Sequence, residues 1–326
     1  MKAVYIKEFG GVENLELREV NEPAKPSGSQ VLIRVRAAGV NRADIMQRIG
    51  RYPPPPGYSP MIPGLEFAGE VVEIGSSVSK FQAADRVFGI TAGEAQAELL
   101  ITDESVLSKI PDDLGFAEAA AVPEAFITAH DAVFTQCGLR SGELLLIHAV
   151  GSGVGLAALQ LAKAKGVFVA GTSRTQDKLD KCKDLGLDLP LLTAEPFFAE
   201  ALKQAKSSGA NVILDLVGGN YFPENLNSLA VKGRMILVGL TAGRNSEIDL
   251  GMALSKRVKI IGTVLRARSL EEKAAAVDAF NREVIPLLQR KKIVPNLDRV
   301  FPANEVQNAH RYVESNANFG KVVLEF

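Results

Sequence analysis

The chain has 326 residues, 47% of them hydrophobic and 23% charged, enough for about two folded domains with sizeable cores. Its 37 Lys and Arg balance 38 Asp and Glu, which leaves no field to attract nucleic acid or an anionic bilayer. Cys137 and Cys182 are the only cysteines and neither has a CxxC partner, so a disulfide framework and a structural zinc cluster are both unsupported. No stretch reaches the roughly 18 uninterrupted apolar residues of a membrane span, and Lys2, Lys7 and Glu8 interrupt the start, so cytoplasmic residence is expected.

Met1–Ile6 and Leu15–Val20 read as strands around Gly10-Gly11, a hairpin-like entry. After a Pro23–Ser29 loop, Val31–Ala38 alternates apolar with charged residues at its centre, the pattern of a strand with one wet face. Gly39–Met46 turns into a short helix. Pro53–Pro56 lack amide donors and fix φ, so Arg51–Gly57 is predicted as a stiff extended loop. Gly69–Gly75, Asp85–Ile90 and Ala97–Ile101 give short strands between glycine or polar turns, and the first third is mainly β.

From about Phe116 the pattern changes. Ala117–Ala121 and Ala125–Phe134 are helix-rich on either side of Pro123, and beyond Gly142 apolar strands alternate with amphipathic helices, as in a doubly wound parallel sheet. Six strands are predicted at Leu144–Ala149, Val167–Gly171, Leu191–Leu192, Val212–Val217, Met235–Gly239 and Ile260–Leu265, a complete dinucleotide fold. Ser269–Arg290 reads as one long helix, and Ile293–Phe326 returns to short strands with a helix at Asn304–Ser315. The expected class is α/β: a Rossmann domain, residues 123–293, inserted in a mainly β domain made of residues 1–122 and 294–326.

The turn His148-Ala149-Val150-Gly151-Ser152-Gly153-Val154-Gly155 carries the first of these strands into a helix. Glycines permit backbone angles and close approaches that side chains forbid, and a helix N-terminus offers free N–H groups with positive dipole character. Gly151, Ser152, Gly153 and Val154 therefore suit a pyrophosphate, although a tight connection with no ligand also satisfies the motif alone. An NAD-binding fold places an acid at the end of its second strand for the ribose hydroxyls. Here Ser173 and Arg174 stand at that place, with Lys178 one turn further on; they suit a 2′-phosphate, so NADPH is favoured over NADH. Asp177, Asp180 and Lys181 nearby also fit a solvated charged helix start. Gly239 with Leu240, and Leu265 with Arg266, are predicted to end the fifth and sixth strands, where open parallel sheets place ligands.

Motifs over nearly the whole chain resemble the quinone oxidoreductase branch of the medium-chain dehydrogenase/reductase superfamily. They are Lys2-Ala3-Val4, Val40-Asn41-Arg42-Ala43-Asp44, Pro63-Gly64-Leu65-Glu66-Phe67-Ala68-Gly69, Val122-Pro123-Glu124-Ala125, the glycine turn and Gly320-Lys321-Val322-Val323-Leu324. Asn41–Gln47 with Arg48, Gly50, Tyr52 and the prolines is especially similar to the tumour-suppressor-inducible quinone oxidoreductase subgroup. The resemblance implies that the β domain is GroES-like, that the cofactor is NADPH and that the substrate is a quinone. Zinc alcohol dehydrogenases of the superfamily have Cys where Asn41 stands and His where Leu65 precedes Glu66, and Asn and Leu do not replace thiolate and imidazole. His130, His148 and His310 read as satisfied structural histidines, so no metal is expected. Many relatives also carry an Asn-Tyr pair after the third strand; Leu191-Leu192-Thr193 in its place implies a weaker or rearranged phosphate grip.

Without zinc, hydride must go to an acceptor that needs little polarising. A quinone fits, since hydride addition leaves a delocalised hydroquinone anion that one proton completes. An enone or enal fits the same cleft, giving an enoyl or 2-alkenal reductase, and an NADPH-binding structural or regulatory protein with little turnover is a third reading. The candidate catalytic residues are Tyr52 and Asn41. Tyr52 either donates a proton and orients substrate or merely packs beside the prolines; Asn41 either hydrogen-bonds cofactor or substrate carbonyl or caps the helix at Arg42. The resemblance adds Thr128 against the nicotinamide, and Asn316 and Asn318 in a tail that closes on the cofactor. Asp44 and Glu66 read as paired structural carboxylates. The sixth strand, Lys259–Leu265, is expected at a sheet edge and apolar enough to pair with its copy in a homodimer.

Overall fold

In the strand Gln30–Val40, Val31, Ile33 and Val35 are buried while Arg34 and Arg36 stay exposed, the alternation that a sheet with one wet face demands. The computed structural model describes residues 1–193 and 195–326. The chain divides into Met1–Ile127 with Leu265–Phe326, and Thr128–Val264.

The first unit is built on a seven-stranded sheet in the order Leu297–Pro302, Lys321–Glu325, Gln30–Val40, Glu66–Ile74, Arg86–Ile90 and Leu107–Lys109, with Leu99–Asp103 also pairing Gln30–Val40. Val31, Ile33 and Val35 meet Phe67, Val71, Val87, Leu100 and Leu107 in one core. The predicted hairpin is present as Lys2–Ile6 against Leu15–Glu19. Its Val4, Ile6 and Leu15 pack with Val306, Ala309 and Val313 of the helix Val306–Glu314 and with Val322 and Leu324, which is how the tail joins the first third.

The expected helix Ser269–Arg290 is two helices, Leu270–Glu283 and Ile285–Gln289. Pro286 ends the first run because it has no N–H to give and its ring crowds the preceding turn. Both helices lie within the unit Met1–Ile127 with Leu265–Phe326. The rings of Phe280 and Phe88 pack edge to face at 6.0 Å, and the Ser108 hydroxyl donates to Asn281 Oδ1 at 2.6 Å.

The second unit holds six parallel strands in the order Leu189–Leu192, Phe168–Ser173, Leu144–Ile147, Ala210–Asp215, Leu229–Leu237 and Lys259–Gly262. In sequence terms that is 3-2-1-4-5-6, the Rossmann order. The fourth strand stops at Asp215, two residues short of expectation, because Gly218 and Gly219 take left-handed φ of 67° and 54° and the Asp215 carboxylate captures the amides of Val217 and Gly218. The fifth and sixth stop at Leu237 and Gly262, so Gly239 and Leu240 lie just beyond a strand end. Lys259–Gly262 is the edge strand, as expected of the sixth strand. Among the described residues no helix is long and apolar enough to cross a membrane.

Candidate functional site

The glycine turn lies at the carboxyl end of the central strand Leu144–Ile147 and feeds the twelve-residue helix Gly153–Ala164. Ser152 is the N-cap, its hydroxyl accepting the Gly155 N–H at 3.2 Å. A Cβ on Gly155 would lie 2.7 Å from the carbonyl oxygens of Ala149 and Val150, so only glycine lets the helix start this close to the turn. The left-handed residue of the turn is Ala149, φ 48°, and not one of the glycines. On the adjacent strand, a Cβ at Gly171 would meet Val150 Cβ at 2.9 Å. Gly155 and Gly171 serve close approach, and the helix start they permit presents backbone amides of the kind that suit a pyrophosphate.

His148 fixes this turn from below. Asn225 donates Nδ2–H to Asp215 Oδ2 at 2.9 Å, which turns its Oδ1 towards His148 Nε2 at 2.5 Å. The ring therefore carries its proton on Nε2 and accepts from the Thr172 hydroxyl on Nδ1 at 3.0 Å. Burial holds its pKa below the usual value despite Asp215, so the ring is neutral. The relay ties the ends of three strands together, and the expectation of a satisfied structural histidine holds for His148. It fails for His310. That ring is buried with neither nitrogen hydrogen-bonded, and burial pushes its pKa to about 3.

At the end of the second strand Ser173 is buried, its hydroxyl accepting the Thr175 N–H at 3.3 Å, and Arg174 is exposed. Lys178 lies in the first turns of the helix Gln176–Asp184. Two cations and two hydroxyl residues thus flank this end with no acid at the strand terminus, as a 2′-phosphate requires. Thr128 Oγ1 is buried without a hydrogen-bond partner. These residues fit a phosphorylated dinucleotide.

The β unit contains a buried polar chamber. Lys321 Nζ lies 2.5 Å from Glu66 Oε1 and 2.5 Å from Asn41 Oδ1, and Asn41 Nδ2 donates to Glu66 Oε1 at 2.8 Å. The Asn41 backbone N–H goes to the Asp44 carboxylate at 2.7 Å, so Asp44 and not the Asn41 side chain closes the start of the helix Arg42–Arg48. Asn41 Nδ2 retains one N–H beyond the bond to Glu66. Asp44 also accepts the Gly64 N–H at 2.9 Å, and burial lifts its pKa to about 6 against these hydrogen bonds and the charges of Arg266 and Lys321.

Arg266, expected at the cofactor with Leu265, belongs to this chamber instead. The sixth strand ends before it, and its buried guanidinium donates to Ala92 O at 2.7 Å, to Tyr52 O at 2.9 Å and to Gln47 Oε1. A buried cation must be satisfied in this way to be tolerated. It stands 5.1 Å over the Tyr52 ring and fixes the proline-flanked loop. Burial raises the Tyr52 pKa, with Arg266 opposing. Asn316 has left-handed φ of 57° and accepts from Arg42 Nη2 at 2.6 Å; Asn318 donates to Gly320 O at 2.8 Å. Both shape the segment leading to Lys321.

Sequence reasoning missed Glu124 and Lys321 as members of this chamber. The Glu124 backbone N–H donates to Glu66 Oε2 at 2.8 Å. Both residues stood in motifs quoted above, and a charged residue inside an otherwise apolar segment was the available signal. Among the described residues no three His, Cys, Asp or Glu side chains converge to hold a metal.

A family model described as an alcohol dehydrogenase GroES-like domain matches residues 27–132, and one described as a zinc-binding dehydrogenase matches 153–282. Quinone oxidoreductase-like protein 2 of Mus musculus is 32% identical over 92% of this chain and 86% of its own length. The chain belongs to the quinone oxidoreductase branch of the medium-chain dehydrogenase/reductase superfamily. The synaptic vesicle membrane protein VAT-1 homolog-like of Homo sapiens is 31% identical over 100% of the chain and 81% of its own length. The crystal structure of Escherichia coli quinone oxidoreductase complexed with NADPH superposes with a TM-score of 0.88 at 27% identity, covering 100% of both chains.

Proposed function

We propose that this protein transfers hydride from NADPH to a quinone without a metal. The observation that carries the reading is the Lys321 ammonium, seated 2.5 Å from both Asn41 Oδ1 and Glu66 Oε1. A fixed cation already engages Asn41, which stands where zinc relatives carry a cysteine, and Leu65 stands where they carry a histidine, so the chamber suits an acceptor that needs no Lewis acid. The E. coli relative's complex with NADPH and the acid-free end of the second strand support the choice of cofactor.

NADPH, when bound, supplies the hydride. Ser152, Gly153 and Val154 would hold its pyrophosphate, Ser173, Arg174 and Lys178 its 2′-phosphate, and Thr128 its carboxamide; Gly151, Gly239 and Leu240 leave room along the strand ends. Asn41 offers its single free N–H to an acceptor oxygen, where a donor is worth most as charge develops. Tyr52 presents a phenol held on its loop by Arg266. Neither residue has to move a charge through the chamber, since Lys321, Glu66 and Arg266 fix the field beforehand.

Initial rates of NADPH and NADH oxidation with a panel of quinones and one enal test this reading. Quinone-dependent oxidation that prefers NADPH is expected. Turnover of the enal alone would assign an enoyl or 2-alkenal reductase instead, and NADPH binding with no turnover of either would assign a binding protein. Cytoplasmic residence and a homodimer belong to the same proposal. The edge strand Lys259–Gly262 has Ile260 40% exposed with Val264 52% exposed beyond it, a surface that pairing with a second copy would cover. Light scattering should give twice the chain mass, falling to the monomer in Ile260→Lys; cell fractionation tests the location.

A further inference from the structure

We infer that Lys321 and Glu66 are positioning residues that act on the reduction through Asn41, holding its amide in the one orientation that offers an N–H to the acceptor oxygen. The inference rests on the quinone reading and names what sets that donor in advance. Sheet register assembles the three residues. Pairing of Gln30–Val40 with Lys321–Glu325 puts Val322 opposite Val40, so Lys321 comes beside Asn41 just past the strand end. On the other side of Gln30–Val40, Phe67 lies opposite Ala38, which brings Glu66 beside Gly39. A Cβ on Gly39 would stand 2.1 Å from Glu66 Oε1, so the bare backbone there is what lets the carboxylate lie across the strand.

The contacts close a triangle. Lys321 Nζ lies 2.5 Å from Asn41 Oδ1 and 2.5 Å from Glu66 Oε1, and Asn41 Nδ2 donates to the same Oε1 at 2.8 Å. The Glu124 backbone N–H holds the second Glu66 oxygen at 2.8 Å, and Asp44 holds the Asn41 backbone N–H at 2.7 Å. Turned over, the amide would set its oxygen against the Glu66 carboxylate and its N–H groups against the ammonium, and both contacts are repulsive. The ion pair therefore admits one orientation. Lys321 is 5% exposed and Glu66 fully covered, whereas Asn41 is half-buried, and among the described residues no acceptor takes its second N–H. The charges are sealed, and the amide is the corner of the triangle that a ligand can touch.

Hydride transfer leaves negative charge on a quinone oxygen. A donor fixed beforehand stabilises that charge without reorganising, and removing one such donor costs about 10²–10³-fold in kcat. An amide free to turn over would also present its own oxygen, which repels the developing charge. A buried ion pair does little for stability, because desolvation offsets much of its attraction. Here its effect falls on the direction of the Asn41 donor.

Lys321→Met combined with Glu66→Gln removes both charges without stranding either, so urea unfolding should find the double variant folded and close to native stability. With duroquinone as acceptor its kcat should nevertheless fall about 10²-fold, while KM for NADPH stays within about twofold. Asn41→Ala should be as slow and the triple variant no slower, because losses that pass through one amide do not add. A second readout needs no turnover. In cofactor-free protein carrying isotope-labelled asparagine, NMR should show one Asn41 Nδ2 proton protected from solvent exchange by Glu66 and its partner exchanging freely, both signals being absent in Asn41→Ala; the double variant should lose the difference. A double variant with native kcat, a triple variant about 10⁴-fold slower than native, or equal exchange of the two protons in the native protein would overturn the proposal. Absence of quinone turnover in the native protein removes the quinone reading, while the exchange measurement still decides whether the ion pair holds Asn41.

Discussion

Lys321 and Glu66 form a buried ion pair, 2.5 Å between Nζ and Oε1, with the lysine side chain 5% exposed and the glutamate fully covered. Removing one partner strands a buried charge, which costs about 3–5 kcal/mol. Lys321→Met should therefore lower the unfolding free energy by that amount in urea titration, and Lys321→Met combined with Glu66→Gln should recover most of it. A single variant as stable as the native protein would mean that water already compensates Glu66.

His310 makes stability depend on pH. Its folded pKa, about 3, lies below the ordinary value of 6.5, so the unfolded chain binds the proton more readily. This contribution is fully present above pH 6.5 and is lost as pH falls towards 3. Between pH 6.5 and pH 5 the loss is about 2 kcal/mol, at 1.36 kcal/mol per unit. His310→Phe removes the titration, so its stability relative to the native protein should rise by that amount between pH 7 and pH 5. Urea unfolding of both proteins at the two pH values measures the difference, and a constant difference would contradict it.

Gly155→Ala separates close approach from backbone freedom. Its Cβ would sit 2.7 Å from two backbone carbonyl oxygens that cannot rotate away. The turn must open, so the variant should bind NADPH at least about tenfold more weakly and lose roughly 1–3 kcal/mol of stability, the usual cost of overpacking. Calorimetric binding and thermal unfolding test both. By contrast Gly142, with nothing within 4 Å of a Cβ but φ of 84°, should suffer only backbone strain on substitution.

The turn illustrates what the sequence could disclose. Glycine spacing after an apolar run located the cradle, and the strand count and edge strand followed from period and order, because both depend on local pattern. That Ala149 takes the left-handed φ did not follow, since the angle is imposed by strand-to-helix geometry. The chamber was less legible for a different reason. Asn41, Glu66, Glu124 and Lys321 come from four segments spread over nearly the whole chain, and nothing in one-dimensional spacing says that their side chains converge. Arg266 was misplaced by the same limit: three residues of strand length decide whether it faces a cofactor or a buried glutamine.

The final prediction concerns cofactor choice. Arg174 is exposed beyond the second strand and Lys178 lies one turn into the next helix. If they hold the 2′-phosphate, each contributes charge-assisted hydrogen bonds of about 1.5–3 kcal/mol, equivalent to roughly 10–100-fold in Kd. Arg174→Ala and Lys178→Ala should each weaken NADPH binding by that factor while leaving NADH within about twofold, and the loss should shrink at high salt, where an exposed anion is screened. Replacing Ser173 by Asp should do more, because a carboxylate at the strand end repels the phosphate and accepts the ribose hydroxyls of NADH. Fluorescence titration with both cofactors decides the matter: equal losses for NADPH and NADH would show that these residues shape the fold of the strand end and do not read the phosphate.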